Sequence, residues 1–312
     1  MITDWRDVDL NQVLELWNTF YPEQYQIDID VLRINTVEHP TFDWGASLLD
    51  LDFENMLRAF VIIKRSPTKL YKVADHDGMH LSGMAFTDPL HMVDVFSESK
   101  KVMRERGASS VMFGMDNRHF WPGVPVNTPR LEDFLMIEGF SLNGECFDLE
   151  RDLTDYVPPR ELPKNDVEFR VLTEDDHPLL VKFFEREFSG RWRYDILQKI
   201  EMEETHRGIM GLFHKDAIHG FASLQDSQSK YPIAGAVWRK SLGENWGTLG
   251  PIGVSQKVRG NGWGGALLAA GLLEQKARGV RQCLIDWTVL DEFYGKHGFE
   301  KTRTYRAGKL IL

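Results

Sequence analysis

Four glycines and an arginine stand within "VRGNGWGGALL" (258–268), and the run passes directly into helix-forming apolar residues. Gly260, Gly262, Gly264 and Gly265 would each weaken an ordinary helix start. Such a run suits a site that needs bare backbone. A helix N-terminus offers unpaired N–H groups and the positive end of the helix dipole, and without Cβ atoms an anion comes close to them. Two titratable residues follow. Asp286 ends the strand-like "RQCLIDW", and Tyr294 stands in "FYGKHGF" (293–299). A carboxylate there takes a proton or holds an ammonium, or it caps the segment that follows. A phenol of pKa about 10 donates at neutral pH, although a half-buried tyrosine bonded to backbone reads the same way in sequence.

Three patterns compete for the run. Gly260-x-Gly262-x-x-Gly265 matches a dinucleotide fingerprint, with Asp286 at the end of the next strand. Against it, "QKVR" separates the strand from the first glycine, and only 26 residues follow Asp286, too few for further βαβ units. Glycines that only permit a tight strand-to-helix turn are the second reading. The third is Arg259-x-x-Gly262-x-Gly264, which matches the R/Q-x-x-G-x-G/A loop of the Gcn5-related N-acetyltransferases. From Val167 to the C-terminus, about 145 residues including the loop, its helix and "FYGKHGF", the sequence resembles that family.

The resemblance implies acetyl-CoA as cofactor, with its pyrophosphate on Arg259, Gly260, Asn261, Gly262, Trp263, Gly264 and Gly265. It also implies that the strand "TLGPIGVS" parts from its neighbour and pairs with the pantetheine arm through Ile252, Gly253 and Val254. Pro251 fits a bulge or an unpaired edge there, because it cannot donate to a ladder. Tyr294 takes the place of the family's general acid, and Asp286 is the first candidate for the base, ahead of Glu244 and His297. "SGRWRYD" (189–195) falls where the family admits its acceptor, so Arg191, Trp192 and Arg193 are expected to line that entrance.

Elements that would position these residues recur in both halves. In the second half, "DVEFRVL", "GIMGLFHK", "AIHGFASLQ" and "GTLGPIGVS" are strand-like, and "HPLLVKFFEREF" is an amphipathic helix. The helix after the glycines places Trp263, Ala266, Leu267, Ala270, Leu273 and Ala277 on one face, with Gly279 as a stop signal. In the first half, "LNQVLELWNTF" and "FSESKKVMRERG" are helical, "FVIIKR", "GMAFT" and "SVMFGM" are strand-like, and "LEDFLMIEGF" stands where "DEFYGKHGF" stands later. Gly139-Phe140 and Gly298-Phe299 close the two segments, which puts Leu135 opposite Tyr294.

The expected fold class is therefore α+β, layered α/β/α: two Gcn5-like units, each a mixed, mostly antiparallel sheet flanked by helices. A degenerate unit at 1–156, a proline-rich linker at 157–166 and a catalytic unit at 167–312 form the expected division. The first half has no glycine loop and no counterpart of Tyr294. Its "DNRHFWPGVP" contains a rigid aromatic turn at Trp121, expected either to contact the acceptor or to pack beneath an interface.

Of a net charge of −10, residues 1–156 carry 27 acidic against 14 basic side chains, and the rest is slightly basic. That balance argues against a nucleic-acid partner. No apolar run is long enough to span a bilayer, and the first residues lack a signal pattern, so a cytoplasmic protein is expected. Cys146 and Cys283 are expected to be buried thiols, and no metal motif occurs. The expected activity is transfer of an acetyl group to a small-molecule amine by a monomer or homodimer. Two alternatives stay open: an inactive acyl-CoA sensor, and an RNA-dependent aminoacyl transferase.

Overall fold

Aspartates start the helices of the N-terminal region. Asp9 accepts from Asn11 N–H (2.9 Å) at the head of α1 (Leu10–Phe20), and Asp28 from Val31 N–H (3.0 Å) at α2 (Ile29–Asn35). Asp88 does the same for Leu90 N–H (2.8 Å) at α3 (Pro89–Glu105). Each cap contributes about 1 kcal/mol. α4 (Pro129–Ile137) also opens on a proline, whose missing N–H costs nothing at that position.

The computed structural model describes residues 1–6, 8–66, 78–163 and 166–312. The chain divides into two units: Met1–Cys146 with Arg303–Leu312, and Phe147–Thr302. This differs from the expected division at 156 and 167. The last ten residues belong with the first unit, and residues 147–156 belong with the second. Lys164 and Asn165 of the expected linker lie outside the described residues.

In the first unit, β1 (Ile2–Thr3), β2 (Leu49–Leu51), β3 (Leu57–Arg65) and β4 (Met79–Phe86) pair antiparallel in that order. β5 (Ser110–Phe113) pairs parallel to β4, with α3 as the crossover. Short β6 (Val124–Pro125) and the chain end close this sheet: residues 305–306 pair with β6, and 308–311 with β5. β7 (Ser141–Asp152) then crosses into the second unit.

The second unit repeats this plan. β8 (Val167–Val171), β9 (Ile209–His214), β10 (Ala217–Asp226) and β11 (Trp246–Val254) are successively antiparallel, and β12 (Gln282–Thr288) lies parallel to β11. Residues 147–152 of β7 pair antiparallel with β12 and close the sheet. α5 (His177–Glu187), α6 (Arg191–Glu203), short α7 (Arg239–Leu242), α8 (Trp263–Ala277) and α9 (Asp291–Gly295) complete it, and β13 (Glu300–Ile311) carries the chain back to the first unit. Each sheet is thus closed by a strand from outside the contiguous stretch that builds the rest of it. A fold class of mixed, mostly antiparallel sheets with flanking helices holds for both units.

The second unit has two apolar clusters. One joins Leu224, Leu249, Cys283 and Ile285 to Leu267, Leu268 and Leu272 of α8, and includes Tyr294. The other joins Phe183 and Phe184 of α5 and Ile196 of α6 to Phe221. α8 is buried over a broader arc than the single expected face: Leu268, Gly271, Leu272 and Gln275 are buried as well, while Ala277 is exposed. Its apolar residues run nearly all round, and a helix of that kind is enclosed rather than laid on a surface.

Candidate functional site

β11 and β12 pair only at Trp246↔Gln282, Gly247↔Cys283 and Thr248↔Leu284. Beyond Thr248, β11 stays with β10, and β12 stays with residues 147–152. The two strands therefore part. Between Leu249 and Ile252 the β10–β11 register shifts, so Gly250 and Pro251 occupy a bulge, as the proline required. Ile252, Gly253 and Val254 pair with Ala222, Phe221 and Gly220 on one side, and no strand among the described residues pairs with them on the other.

Glutamines lock the parting point. Gln275 Nε2 of α8 donates to the carbonyls of Gln225 (2.8 Å) and Thr248 (2.9 Å), and Gln225 Nε2 donates to Thr248 Oγ1 (3.0 Å). Neither glutamine stood out in the sequence, because a single polar residue at the edge of an apolar stretch reads as exposed.

The glycine run follows β11 through a turn at Gln256–Val258. Glu187, at the end of α5, accepts from Ser255 Oγ (2.7 Å) and Gln256 N–H (3.2 Å) and holds that turn in place. Gly260 (φ +85°) and Gly262 (φ +76°) are left-handed, a conformation that a side chain disfavours by about 1–2 kcal/mol. A Cβ at either would meet nothing within 4 Å. The first helical hydrogen bond of α8 runs from Ala266 N–H to Gly262 O (3.1 Å), so the amides of Trp263, Gly264 and Gly265 have no partner within the helix. Arg259, Gly260, Asn261 and Gly262 are exposed, and the Trp263 ring lies 5.1 Å from that of His214. The residues expected to hold a pyrophosphate thus form one turn at a helix start, open at 259–262 and followed by three amides without helical partners. A diphosphate fits such a turn without displacing a side chain at Gly260 or Gly262.

Asp286 lies at the parting strands, close enough to Tyr294 for its charge to act on the phenol. Leu284 and Asp286 alternate with Cys283 and Ile285, which face the α8 side. A Cβ on Gly250 would lie 3.4 Å from Asp286 Oδ1, so this carboxylate reaches toward β11. Burial pushes the Tyr294 phenol well above its ordinary range, and the nearby Asp286 charge adds to this, while the Thr288 hydroxyl opposes it. Tyr21 donates its hydroxyl to Met84 O (2.6 Å), and the Tyr156 hydroxyl shares a hydrogen bond with His297 Nδ1 (2.9 Å). The Tyr294 hydroxyl is instead hydrogen-bonded to the Thr288 side chain. Of the weaker candidates, His297 is buried against Tyr156 below the start of α8, with its Nε2 3.9 Å from where a Gly265 Cβ would lie. Glu244 is exposed ahead of the paired end of β11.

The acceptor-side residues divide. Trp192 is 39% exposed and packs on Phe188 (5.2 Å), with its ring 3.1 Å from the position of a Gly253 Cβ. Arg191 is held by Asp195 (3.1 Å) and stacks 4.7 Å over the Trp287 ring, while Arg193 faces Glu185. Trp121 is not a ligand contact. It is fully buried in the first unit against Trp17 (5.5 Å), Tyr21 (4.8 Å) and Tyr25 (5.1 Å), and so has no face to offer. A Cβ on Gly114 (φ +62°) would collide with the Trp121 carbonyl, so this turn is core packing.

The first unit has the same plan with the site closed. At the head of α3, the Asp88 carboxylate already accepts from Leu90 N–H and Pro89 has no N–H to offer, so this helix start opposes a phosphate by charge and has fewer donors for it. Tyr21 occupies the Met84 carbonyl of β4. Leu135 stands where Tyr294 stands. Phe140 N–H bonds Leu135 O (2.9 Å) and Phe299 N–H bonds Tyr294 O (3.4 Å), each across a left-handed glycine.

No protein-family model matches the chain, and no curated protein matches it in sequence. Among solved structures, a GCN5-related glucosamine N-acetyltransferase region of a fungal multi-domain GH3 β-N-acetylglucosaminidase matches with TM-score 0.84 and 20% identity. That match covers 99% of this chain, which spans only 38% of the fungal one. A tandem protein of the same fold from the clavulanic acid pathway matches with TM-score 0.70 and 13% identity, covering 100% of this chain and 98% of its own. A GCN5-related N-acetyltransferase from Sphaerobacter thermophilus gives 0.69 and 14%, covering 100% and 95%. At these identities the likeness is one of fold: this chain has the fold of the Gcn5-related N-acetyltransferases, in tandem.

Proposed function

We propose that the second unit transfers an acetyl group from acetyl-CoA to the amine of a small-molecule acceptor. The observation that carries this reading is the parting of β11 from β12 after Thr248, at the foot of a helix whose first turn is built of glycines. Acetyl-CoA, when bound, supplies the acetyl group as a thioester. The amides of Trp263, Gly264 and Gly265 hold its pyrophosphate, with Arg259 adding charge. The main chain of Ile252–Val254 orients the pantetheine arm.

Asp286 takes the proton from the acceptor's ammonium, and Tyr294 O–H donates toward the sulfur. A phenol pushed upward in pKa stays protonated throughout the working range, so it acts as a hydrogen-bond donor at every pH of interest. Arg191 and Trp192 border the acceptor's approach. The first unit, with Asp88 and Pro89 at its helix start and Leu135 in place of a tyrosine, performs no transfer of its own.

Thiol release from acetyl-CoA across a panel of amines tests the reading, and the name of the fungal region makes glucosamine the first acceptor to try. Release that depends on an amine and falls in Asp286→Asn supports it. CoA binding without release on any amine would instead favour a sensor.

A further inference from the structure

The 19-residue connection between β10 and β11 is held at three points. Lys199, buried on α6, pairs with Glu203 (2.5 Å) and donates to Tyr231 O (2.9 Å), while Glu203 accepts from Tyr231 N–H (3.0 Å). Gln225 grips Ile233 from both sides, Nε2 to its carbonyl (2.9 Å) and Oε1 from its N–H (3.0 Å), and the same Nε2 reaches Thr248. The helical turn Ala234–Trp238 then packs on β11 and β12 together. At its head, a Cβ on Gly235 would collide with Leu284 Cδ2 and lie 3.0 Å from Asp286 Cβ. Gly235 does not have a left-handed φ, so its missing side chain answers only to that close approach.

We infer that residues 231–238 form the wall of the acceptor pocket, that Gly235 sets the space at Asp286, and that Gln225 and Lys199 are positioning residues that hold the wall to the parting strands and to α6. The inference rests on the acetyl-transfer reading. It goes further by naming the segment that determines which amine reaches Asp286. The ties explain why four polar side chains, Lys199, Glu203, Gln225 and Thr248, are buried around a connection that a tight hairpin turn would have made unnecessary. Misplacing Asp286 by about 1 Å is enough to matter, because transfer depends on near-attack geometry.

The test is steady-state thiol release by the full chain, with glucosamine as the first probe and otherwise the best primary amine of the panel. Gly235→Ala is expected to lower kcat/KM for the amine by up to about 10²-fold, with KM for acetyl-CoA unchanged. Gln225→Glu, which keeps the shape and removes the amide donor, and Lys199→Met are expected to raise KM for the amine more than they lower kcat. Gly235→Ala with wild-type amine kinetics overturns the inference, as does a matched rise in both KM values across all three variants. If the wild-type chain binds CoA yet releases no thiol with any amine, the acetyl-transfer reading falls and takes the inference with it. Failure of the inference alone shows instead as an active wild type with an indifferent Gly235→Ala.

Discussion

Replacing Gly264 with valine, which unlike alanine is not an alternative at the last position of the R/Q-x-x-G-x-G/A loop, separates a cradle for a ligand from a turn that merely needs glycine. A Cβ at Gly264 would meet only Val254 Cγ2 (3.9 Å) and Cγ1 (4.0 Å), ordinary contacts, and its φ is not left-handed. Nothing among the described residues resists a Cβ there. Since valine and glycine lie close together in helix propensity, both below alanine, the variant should keep the wild-type melting temperature to within about 2 °C. The branched side chain would stand at the first turn of α8 beside Val254, the end of the strand at the open cleft, and would hold a phosphate oxygen away from the first-turn amides. Losing one charge-assisted hydrogen bond costs about 1.5–3 kcal/mol, which weakens CoA binding by roughly 10- to 150-fold. Calorimetric titration with CoA and a thermal melt on the same sample give both numbers. An unaltered melting temperature with unaltered CoA affinity would refute the reasoning, because the site would then have no need of a bare backbone at Gly264.

Tyr294→Phe should lower kcat by about 10²–10⁴ while CoA affinity and stability stay near wild type; unaltered turnover removes Tyr294 from the chemistry. Lys64 and Asp116 form a fully buried pair (2.8 Å) in the first unit, so Lys64→Met should cost about 3–5 kcal/mol in urea unfolding, and Lys64→Met with Asp116→Leu should regain much of it. Burial, aided by the Arg151 guanidinium, holds His297 below its ordinary pKa. The unfolded chain therefore takes up that proton first, and the stability this supplies is whole above about pH 6.5 and falls as pH drops below it. The urea midpoint should accordingly fall less between neutral pH and about pH 5 in His297→Gln than in wild type. A fragment beginning at residue 160 should fail to fold, because it lacks the strand that pairs with β12; a cooperative melt from that fragment would contradict the division of the chain.

The glycine run, Pro251 and the paired Gly-Phe segments were legible because each imposes a local demand that few residues meet: an absent Cβ, an absent donor, a left-handed turn. Their positions in the structure match what those demands imply. The exchange of closing strands was not legible. Residues 141–152 and 300–311 read as plain strands, and pairing partners at such sequence separation leave no trace in periodicity. Trp121 stayed open between an acceptor contact and buried packing because the choice depends on Trp17, Tyr21 and Tyr25, some hundred residues away in the chain. Arg191 and Trp192 were expected at an entrance between two helices; they lie instead in the first turn of α6, where Arg191 is committed to Asp195 and Trp287. Gln225, Gln275 and Lys199 escaped notice because their bonds to backbone carbonyls exist only once the strands and helices have packed.

Hydrogen exchange on the full chain, with and without saturating CoA, tests the central claim most directly, since it reads the amides said to hold the ligand. The account predicts slowed exchange in peptides covering Ile252–Val254 and Gly260–Ala266, and none at the head of α3 around Asp88 and Leu90. Protection at the head of α3, or none at the glycine run while CoA is bound, would contradict it.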